Sequence, residues 1–435
     1  MMTTHKHIKL GLFLAGYGHH VASWRHENAI EKGPMDLTHL INTAQLAEKG
    51  LFDLVFLADS LFVSESSHPN ILSRFEPFTL LSVLSTATTN IGLAATASTT
   101  FSEPFHIARQ FSSLDHLSHG RAAWNIVTSS ITSTAENFNG TKLMEHELRY
   151  ERANEFVEVT NKLWRSWDKG ALVRDKETGA FIDASKLHTI DHEGKHFKVR
   201  GPLNIERSPQ GRPLLIQAGS SPTGTDLASK VADVIFTAQT QIEDAQNFYK
   251  QLKEKVSKQN RNPEEVYIMP GLFPILGDTE EEAHQNYQEI QDLILPEVGL
   301  SILAPYVGNI DLSQYDLDTK FADLDLSTGN GVQSRFEIIL KEAIKNDLTL
   351  EEVYKKVAGS RGHHIFVGTP EQLADKMEEW FKSSAADGFN IMPPILPSQF
   401  ELFINNVIPI LQERNLYKET YSEGTLRQKL GLENE

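Results

Sequence analysis

The chain has 435 residues, of which 40% are hydrophobic and 23% charged, a composition that builds a packed core and excludes a disordered polymer. A formal net charge of −17 argues against nucleic acid or anionic membrane as a partner, since both select basic surfaces. The absence of cysteine excludes disulfides, thiolate nucleophiles and Cys-ligated metals, and matches the reducing cytoplasm expected as its location.

The opening residues, MMTTHKHIKLGLF, lack the long apolar core of a signal peptide. A strand is predicted over 7–13. A helix follows from Asp36, with Leu37, Leu40, Ile41, Ala44 and Ala47 at helical spacing, Asp36 as N-cap and Gly50 as the residue past its end. FDLVFLADS is an apolar run ending at Asp59, as in a strand buried on both faces of a parallel sheet. A helix near 78–87, a strand over 91–99, a helix from Pro104 and a strand from Arg121 come next. The stretch 77–102 carries no charge, but its Ser and Thr content and the break at Asn90-Ile91-Gly92 exclude a membrane span. A long amphipathic helix is predicted over 146–167. The residues 168–212 break the rhythm and read as a surface excursion with a hairpin. Alternation resumes with the strand PLLIQAGSS, a helix from Thr223, the strand ADVIFTA, a helix over 242–258 and the strand VYIMPGLFPIL. A second insertion covers 296–360. The strand and helix of IFVGTPEQLADKMEEWF, the strand FNIMPP, a helix over 400–414 and a polar C-terminal tail complete the chain.

This count of about eight β/α units predicts an α/β fold: a (β/α)8 TIM barrel, one domain over 1–435 with insertions at about 168–212 and 296–360. The alternative is an open doubly wound sheet. Against it, Gly16-Tyr17-Gly18 lacks the third glycine of a dinucleotide loop, and no phosphate loop of the GxxxxGK[ST] type occurs.

Polar residues gather where the strands end. Thr96, Ser98, Asn125, Thr128 and Ser129 fall at the carboxyl ends of two consecutive strands, where parallel α/β proteins bind ligands. Asp59 has the same position, and a helix cap or salt bridge explains it equally well. His146 and Tyr150, four apart on one helix face, present an imidazole and a phenol in the same direction. Gln217-Ala218-Gly219-Ser220-Ser221 joins a strand to a helix, with small residues and two hydroxyls suited to an anion. Gly368-Thr369-Pro370 is a similar junction that simple capping explains equally well. His192-Glu193-Gly194-Lys195-His196 matches HExxH, but its internal glycine and turn-rich setting favour a hairpin, and no metal site is expected. In His19-His20 and His363-His364, adjacent side chains point to opposite faces of an extended chain, so one of each pair can face a site. No GxSxG elbow is present. A polar-mouthed barrel with few acid–base pairs suits a bound cofactor that carries the chemistry.

At GYGHHVASWRH, AEKGLFDLVFLADS, RFEPFTLLS, the block 91–129, HELRYERANEF, GPLNIERSPQGRPLLIQAGSSPTG and VGTPEQLADKMEEWF, the chain resembles the bacterial-luciferase-like flavin monooxygenases. The branch is that of the nitrilotriacetate, EDTA, dibenzothiophene-sulfone and N-acetyl-S-succinocysteine monooxygenases, and the resemblance spans nearly the whole chain. It implies a two-component enzyme in which a separate NAD(P)H-dependent flavin reductase delivers FMN as FMNH2. O2 then reacts through a flavin C4a-peroxide to oxygenate a small organic substrate such as a carboxylated amine, thioether or sulfone. It implies that Asp59 and Thr96 lie beside the isoalloxazine or ribityl part of FMN, that His146 and Tyr150 contact the flavin, and that Ser220 and Ser221 hold the phosphate end. His146 is also the candidate to protonate or orient the peroxide. Asn125 ranks below these, because the family commonly writes Gly-Trp-Asn where this chain has Ala123-Trp124-Asn125. The resemblance further implies a homodimer or tetramer, with 130–144 and part of 296–360 as lids. Arg25 and Arg149 are candidates for a substrate carboxylate. The alternatives are a deazaflavin-dependent oxidoreductase on the same barrel, a metal-dependent barrel hydrolase and a non-enzymatic flavin-binding protein.

Overall fold

The computed structural model describes residues 7–65, 67–140, 142–219, 221–308, 310–326, 339–341, 343–360 and 362–435. Elements appear in the order β1 (Lys9–Phe13), α1 (Leu37–Lys49), β2 (Leu54–Leu57), α2 (Pro69–Leu72), α3 (Pro77–Ala87), β3 (Gly92–Ser98), α4 (Pro104–Leu117), β4 (Ala122–Val127) and α5 (His146–Trp164). The excursion carries the antiparallel hairpin β5 (His192–Glu193) and β6 (Lys198–Val199). Then come β7 (Leu214–Gln217), α6 (Pro222–Val231), β8 (Val234–Thr237), α7 (Ile242–Lys258), β9 (Tyr267–Leu276), α8 (Glu280–Asp292), α9 (Pro296–Leu303), the helix Leu350–Ser360, β10 (His364–Gly368), the helix Pro370–Lys382 and β11 (Gly388–Ile391).

Eight parallel strands run β11-β1-β2-β3-β4-β7-β8-β9, and β9 pairs back onto β11 to close the ring. This is the predicted barrel. Every residue of β2, β3 and β7 is buried, because each strand faces the lumen on one side and helices on the other. Leu54, Phe56, Ala94, Ala123, Leu214, Ile216, Val234 and Met269 fill the lumen, while Val55, Leu93, Ala95 and Leu215 belong to the layer under the helices. One feature exceeds the predicted count: β9 runs on past β8, and its residues 272–276 pair with the extra parallel strand β10.

Local signals act where the sequence puts them. Asp36 accepts from the His39 backbone N–H at 3.0 Å and opens α1. Proline stands in the first turn of α3, α4, α6 and α9. Gly50 is a correction. Its φ is −76°, and the left-handed turn falls on Leu51 at φ 60°. Gly50 serves close approach instead, since a Cβ there would lie 2.3 Å from Ile404 Cδ1.

The tail is a second correction. It is polar in composition, yet Leu426, Leu430 and Leu432 join the lumen layer from below. The Leu426 N–H donates to the Gly120 carbonyl at 2.8 Å, and Tyr267 Oη donates to the Leu430 carbonyl, both beside the first residues of strands. Arg427 and Arg212 meet Asp233 at 3.0 and 2.8 Å, and Arg212 also meets Glu435 at 2.6 Å. Burial opposes the charge on Asp233, yet the two guanidiniums hold its carboxyl below the usual range.

The second insertion has its own apolar cluster, with Leu303, Val307, Phe321, Leu350 and Tyr354 packed on Val21 and Ala22 from the loop after β1. His20 is wholly buried at this seam. It accepts from the Ala22 N–H at Nδ1, 3.2 Å away, and contacts Gln291 Oε1 through Nε2 at 3.0 Å. Burial pushes its pKa down to about 4.

Candidate active site

Strand register assembles the first part of the mouth. Thr96 and Asn125 are paired neighbours on β3 and β4, and Asn125 Nδ2 donates to Thr96 Oγ1 at 2.8 Å. Both are buried, and Asn125 Oδ1 is a buried acceptor without a partner among the described residues. The Ala123 methyl lies two residues below on the same face and fills the lumen against Phe56 and Ile216. It therefore supports Asn125 from beneath and leaves its bond to Thr96 intact. One layer outward, Ser98 and Ser129 hydroxyls meet at 2.8 Å.

Helix α5 carries the second part. The His146 and Tyr150 rings lie 4.9 Å apart at a tilt of 50°, as their i, i+4 spacing requires. His146 is exposed on the rim and Tyr150 is buried. Tyr150 and Ala153 pack on Leu227 of α6. This contact ties the phenol to the helix that begins at Ser221. There the Ser221 hydroxyl accepts from the Gly224 N–H at 3.1 Å, and Gln217 Oε1 accepts from the Gly219 N–H at 2.7 Å. Gly219 permits a close approach, because a Cβ would stand 2.5 Å from Gln217 Nε2 and 3.0 Å from Gly224 Cα. Ser220 lies outside the described residues. At Gly368-Thr369-Pro370 the capping reading holds, since Thr369 and Gln372 form a reciprocal capping box.

The third part combines Asp59, which the sequence singled out, with Arg74, which it did not. Asp59 lies in a cavity of about 190 Å³ walled by Leu14, Leu57, Phe75 and Leu80. Its Oδ1 accepts from the Ser60 N–H at 2.9 Å and from Arg74 Nη2 at 3.4 Å. Burial raises the Asp59 pKa against the opposing pull of Arg74, and burial lowers that of Arg74. Arg74 sits in the quoted RFEPF segment, but only the fold shows that it meets Asp59 across 15 residues.

Each histidine pair divides between two environments, although His19 and His20 lie in a bend after β1 and His363 just before β10, not on strands. His19 lines the cavity with its ring 4.3 Å from Phe13, whereas His20 faces the insertion. His363 stacks on Phe236 at 5.3 Å, and His364 lies against Trp380 at 5.0 Å. Phe13, Phe56 and Phe236 form an aromatic top to the lumen with centroid spacings of 4.8 to 5.9 Å. Over the mouth, Phe138 stacks on Phe101 at 4.8 Å, and Asn137 Nδ2 donates to the Leu61 carbonyl at 2.9 Å. The segment after β4 thus bridges the loops that follow β2 and β3.

The HExxH match forms the expected hairpin. His192 and His196 contact Glu155 and Glu151 of α5 separately, at 3.1 Å each. Among the described residues no group of three or more His, Asp or Glu could hold a metal ion. The two arginines proposed for a carboxylate each donate to a backbone carbonyl, Arg25 to that of Leu293 and Arg149 to that of Ser129, and Arg149 Nε is buried without a partner among the described residues.

Comparison with known proteins places these features in a family. Residues 18–388 match the family described as luciferase-like monooxygenase. The N-acetyl-S-(2-succino)cysteine monooxygenase of Bacillus subtilis (strain 168) is 58% identical over 433 residues, covering 100% of this chain and 98% of the relative. The nitrilotriacetate monooxygenase component A of Aminobacter aminovorans is 42% identical over 445 residues, covering 99% and 98%. The crystal structure of a riboflavin lyase with modified FMN and riboflavin superposes with a TM-score of 0.85 at 32% identity, covering 99% of this chain and 97% of that one.

Proposed function

The chain belongs to the luciferase-like monooxygenase family, and on that premise we propose that it oxygenates a carboxylated thioether with reduced FMN and O2. The observation carrying the substrate class is the 58% identity, across the whole chain, to an enzyme whose named substrate describes a thioether bearing carboxyl groups. A separate NAD(P)H-dependent flavin reductase supplies the reduced flavin. This part of the reading is supported by the relative named as component A, a name that implies a second component.

The residues present fit a flavin. Asn125 Oδ1 is a buried acceptor at the barrel mouth with no donor among the described residues, which suits a ring N–H. The tight turn at Gly219 and the helix beginning at Ser221 suit a phosphate. Thr96, Asn125 and Asp59 would then hold the ring and ribityl portions, and Tyr150, His146 and Ser221 the outer portion. When bound, reduced FMN supplies the activation of O2. The protein binds the flavin, orients the sulfur of the substrate against it and excludes water. His146, exposed on the rim, orients or protonates from the edge of the pocket. The segments 130–144 and part of 296–360 act as lids.

The test is turnover with a generic NADH:FMN reductase and a panel of carboxylated thioethers, amines and sulfones, with product mass read for one added oxygen. Oxygenation of a thioether ahead of the others supports the reading. No oxygenated product, together with no saturable anaerobic complex with FMNH2, would overturn it. Ser221→Ala is expected to weaken that complex roughly 10-fold through the lost helix cap.

A further inference from the structure

The cavity at the ends of β1 and β2 is too small for a flavin and too polar at one point to be a packing defect. Its volume of about 190 Å³ admits roughly six water-sized groups at about 30 Å³ each, the scale of one limb of a substrate. Its walls are chiefly apolar, and Arg74 is the only lysine or arginine among the described residues that line it. The guanidinium is mostly buried yet poorly matched. Its recorded acceptor is Asp59 Oδ1, at 3.4 Å from Nη2, and that oxygen already accepts the Ser60 N–H at 2.9 Å. Charge-assisted bonds of this kind normally close to about 2.7–2.9 Å. No acceptor is recorded for Nη1 or Nε among the described residues. A planar fork held in apolar surroundings with most of its donors unspent is the arrangement that receives a carboxylate in two parallel hydrogen bonds. A net charge of −17 disfavours an acidic ligand in general, so a local cation is needed to receive one.

We propose that Arg74 is the specificity-determining residue of this site: in the cavity beside Asp59 its guanidinium receives a carboxylate of the substrate. This rests on the monooxygenase reading above and names the group that selects acids within it. Asp59 then has a second consequence. It holds one end of the fork in place and weakens the affinity for an acid by its own charge.

The experiment uses the full chain with N-acetyl-S-(2-succino)cysteine and its fully esterified form as probes. Kinetics with a supplied reductase and calorimetric titration are compared for wild type, Arg74→Gln, Arg74→Lys and Asp59→Asn. For Arg74→Gln, kcat/KM on the acid is expected to fall roughly 30-fold or more, mainly through KM, so that the preference for acid over ester collapses. Arg74→Lys is expected to restore part of that preference, as a charge without the fork. Asp59→Asn is expected to lower KM for the acid. Equal losses on acid and ester in Arg74→Gln would reduce Arg74 to a counter-ion of Asp59 and overturn the proposal. If Arg74→Gln does not fold, Arg74→Lys decides instead: a preference for acid over ester unchanged from wild type overturns the proposal. If wild type oxygenates neither probe, the functional reading fails on its own. Calorimetry still decides the residue: acid binding that is weakened in the Arg74 variant supports the proposal, and equal or absent binding ends it.

Discussion

A buried arginine at the floor of the barrel and a half-buried one at its mouth are treated in opposite ways. At the floor, Arg121 spends all five N–H groups on five acceptors: the carbonyls of Ser85, Thr88, Ile91 and Ser118 and the Thr88 hydroxyl. At the mouth, Arg74 has one long contact to Asp59. The same contrast runs through the surroundings. Floor charges are closed networks: Asp233 between Arg212 and Arg427, and Asp53 bonded to Lys418 and to the Leu10 N–H. Mouth groups are left open, as at Asn125 Oδ1 and Arg149 Nε. Polar groups saturated within the protein hold the fold; buried polar groups left unsaturated cost stability and are retained where a ligand completes them.

The sharpest way to break this contrast is to open the floor. Asp233→Asn leaves two buried guanidiniums facing a neutral group and is expected to cost about 3–5 kcal/mol, read as a shift of the urea midpoint. A cost below about 1 kcal/mol would show that the floor network is dispensable. The seam of the insertion comes next. His20, with a folded pKa of about 4 against an ordinary 6.5, binds fewer protons folded than unfolded between those values. Stability therefore rises with pH through that window and is lost as pH falls. Between pH 7 and pH 4.5 His20 alone should account for on the order of 2 kcal/mol. The unfolding free energy of His20→Gln, measured at both pH values, should lose that much of the wild-type slope. An unchanged slope would show that His20 titrates normally. At the mouth, Thr96→Val strips Asn125 of its recorded partner. About 1–3 kcal/mol of stability and roughly 10-fold in FMNH2 affinity should go together. Loss of stability without loss of affinity would remove Asn125 from the flavin site. The smallest effect tests the lumen beneath it. Ala123→Gly is expected to cost about 1 kcal/mol while moving FMNH2 affinity less than threefold, because the methyl packs below Asn125. A tenfold gain in affinity would mean that the methyl obstructs the site after all.

Much of the barrel was legible because strands buried on both faces are largely apolar, with polar residues confined to their carboxyl ends. LVFL, GLAATAS and LLIQ announce themselves in that way, and the proline and Asp36 caps mark where helices begin. The place of Thr96 and Asn125 at strand ends and the shared face of His146 and Tyr150 followed from strand and helix periods, whereas the bond between Thr96 and Asn125 came from the register of β3 on β4. The tail was misread because Leu426, Leu430 and Leu432 are diluted among charged residues, and only the open lower end of the lumen gives them a reason to be buried. Gly50 was misread for a related reason: its lack of a side chain serves Ile404, more than 350 residues away.

The order of residues by itself therefore determined what depends on neighbours along the chain: alternation, caps, the number of β/α units and which side chains share a face. Only the closed ring decided which charges meet. A salt bridge between Arg74 and Asp59, or between Arg427 and Asp233, depends on distances set by strand register and by where the tail lodges. Such contacts are made across space by desolvated groups, and no local period encodes them.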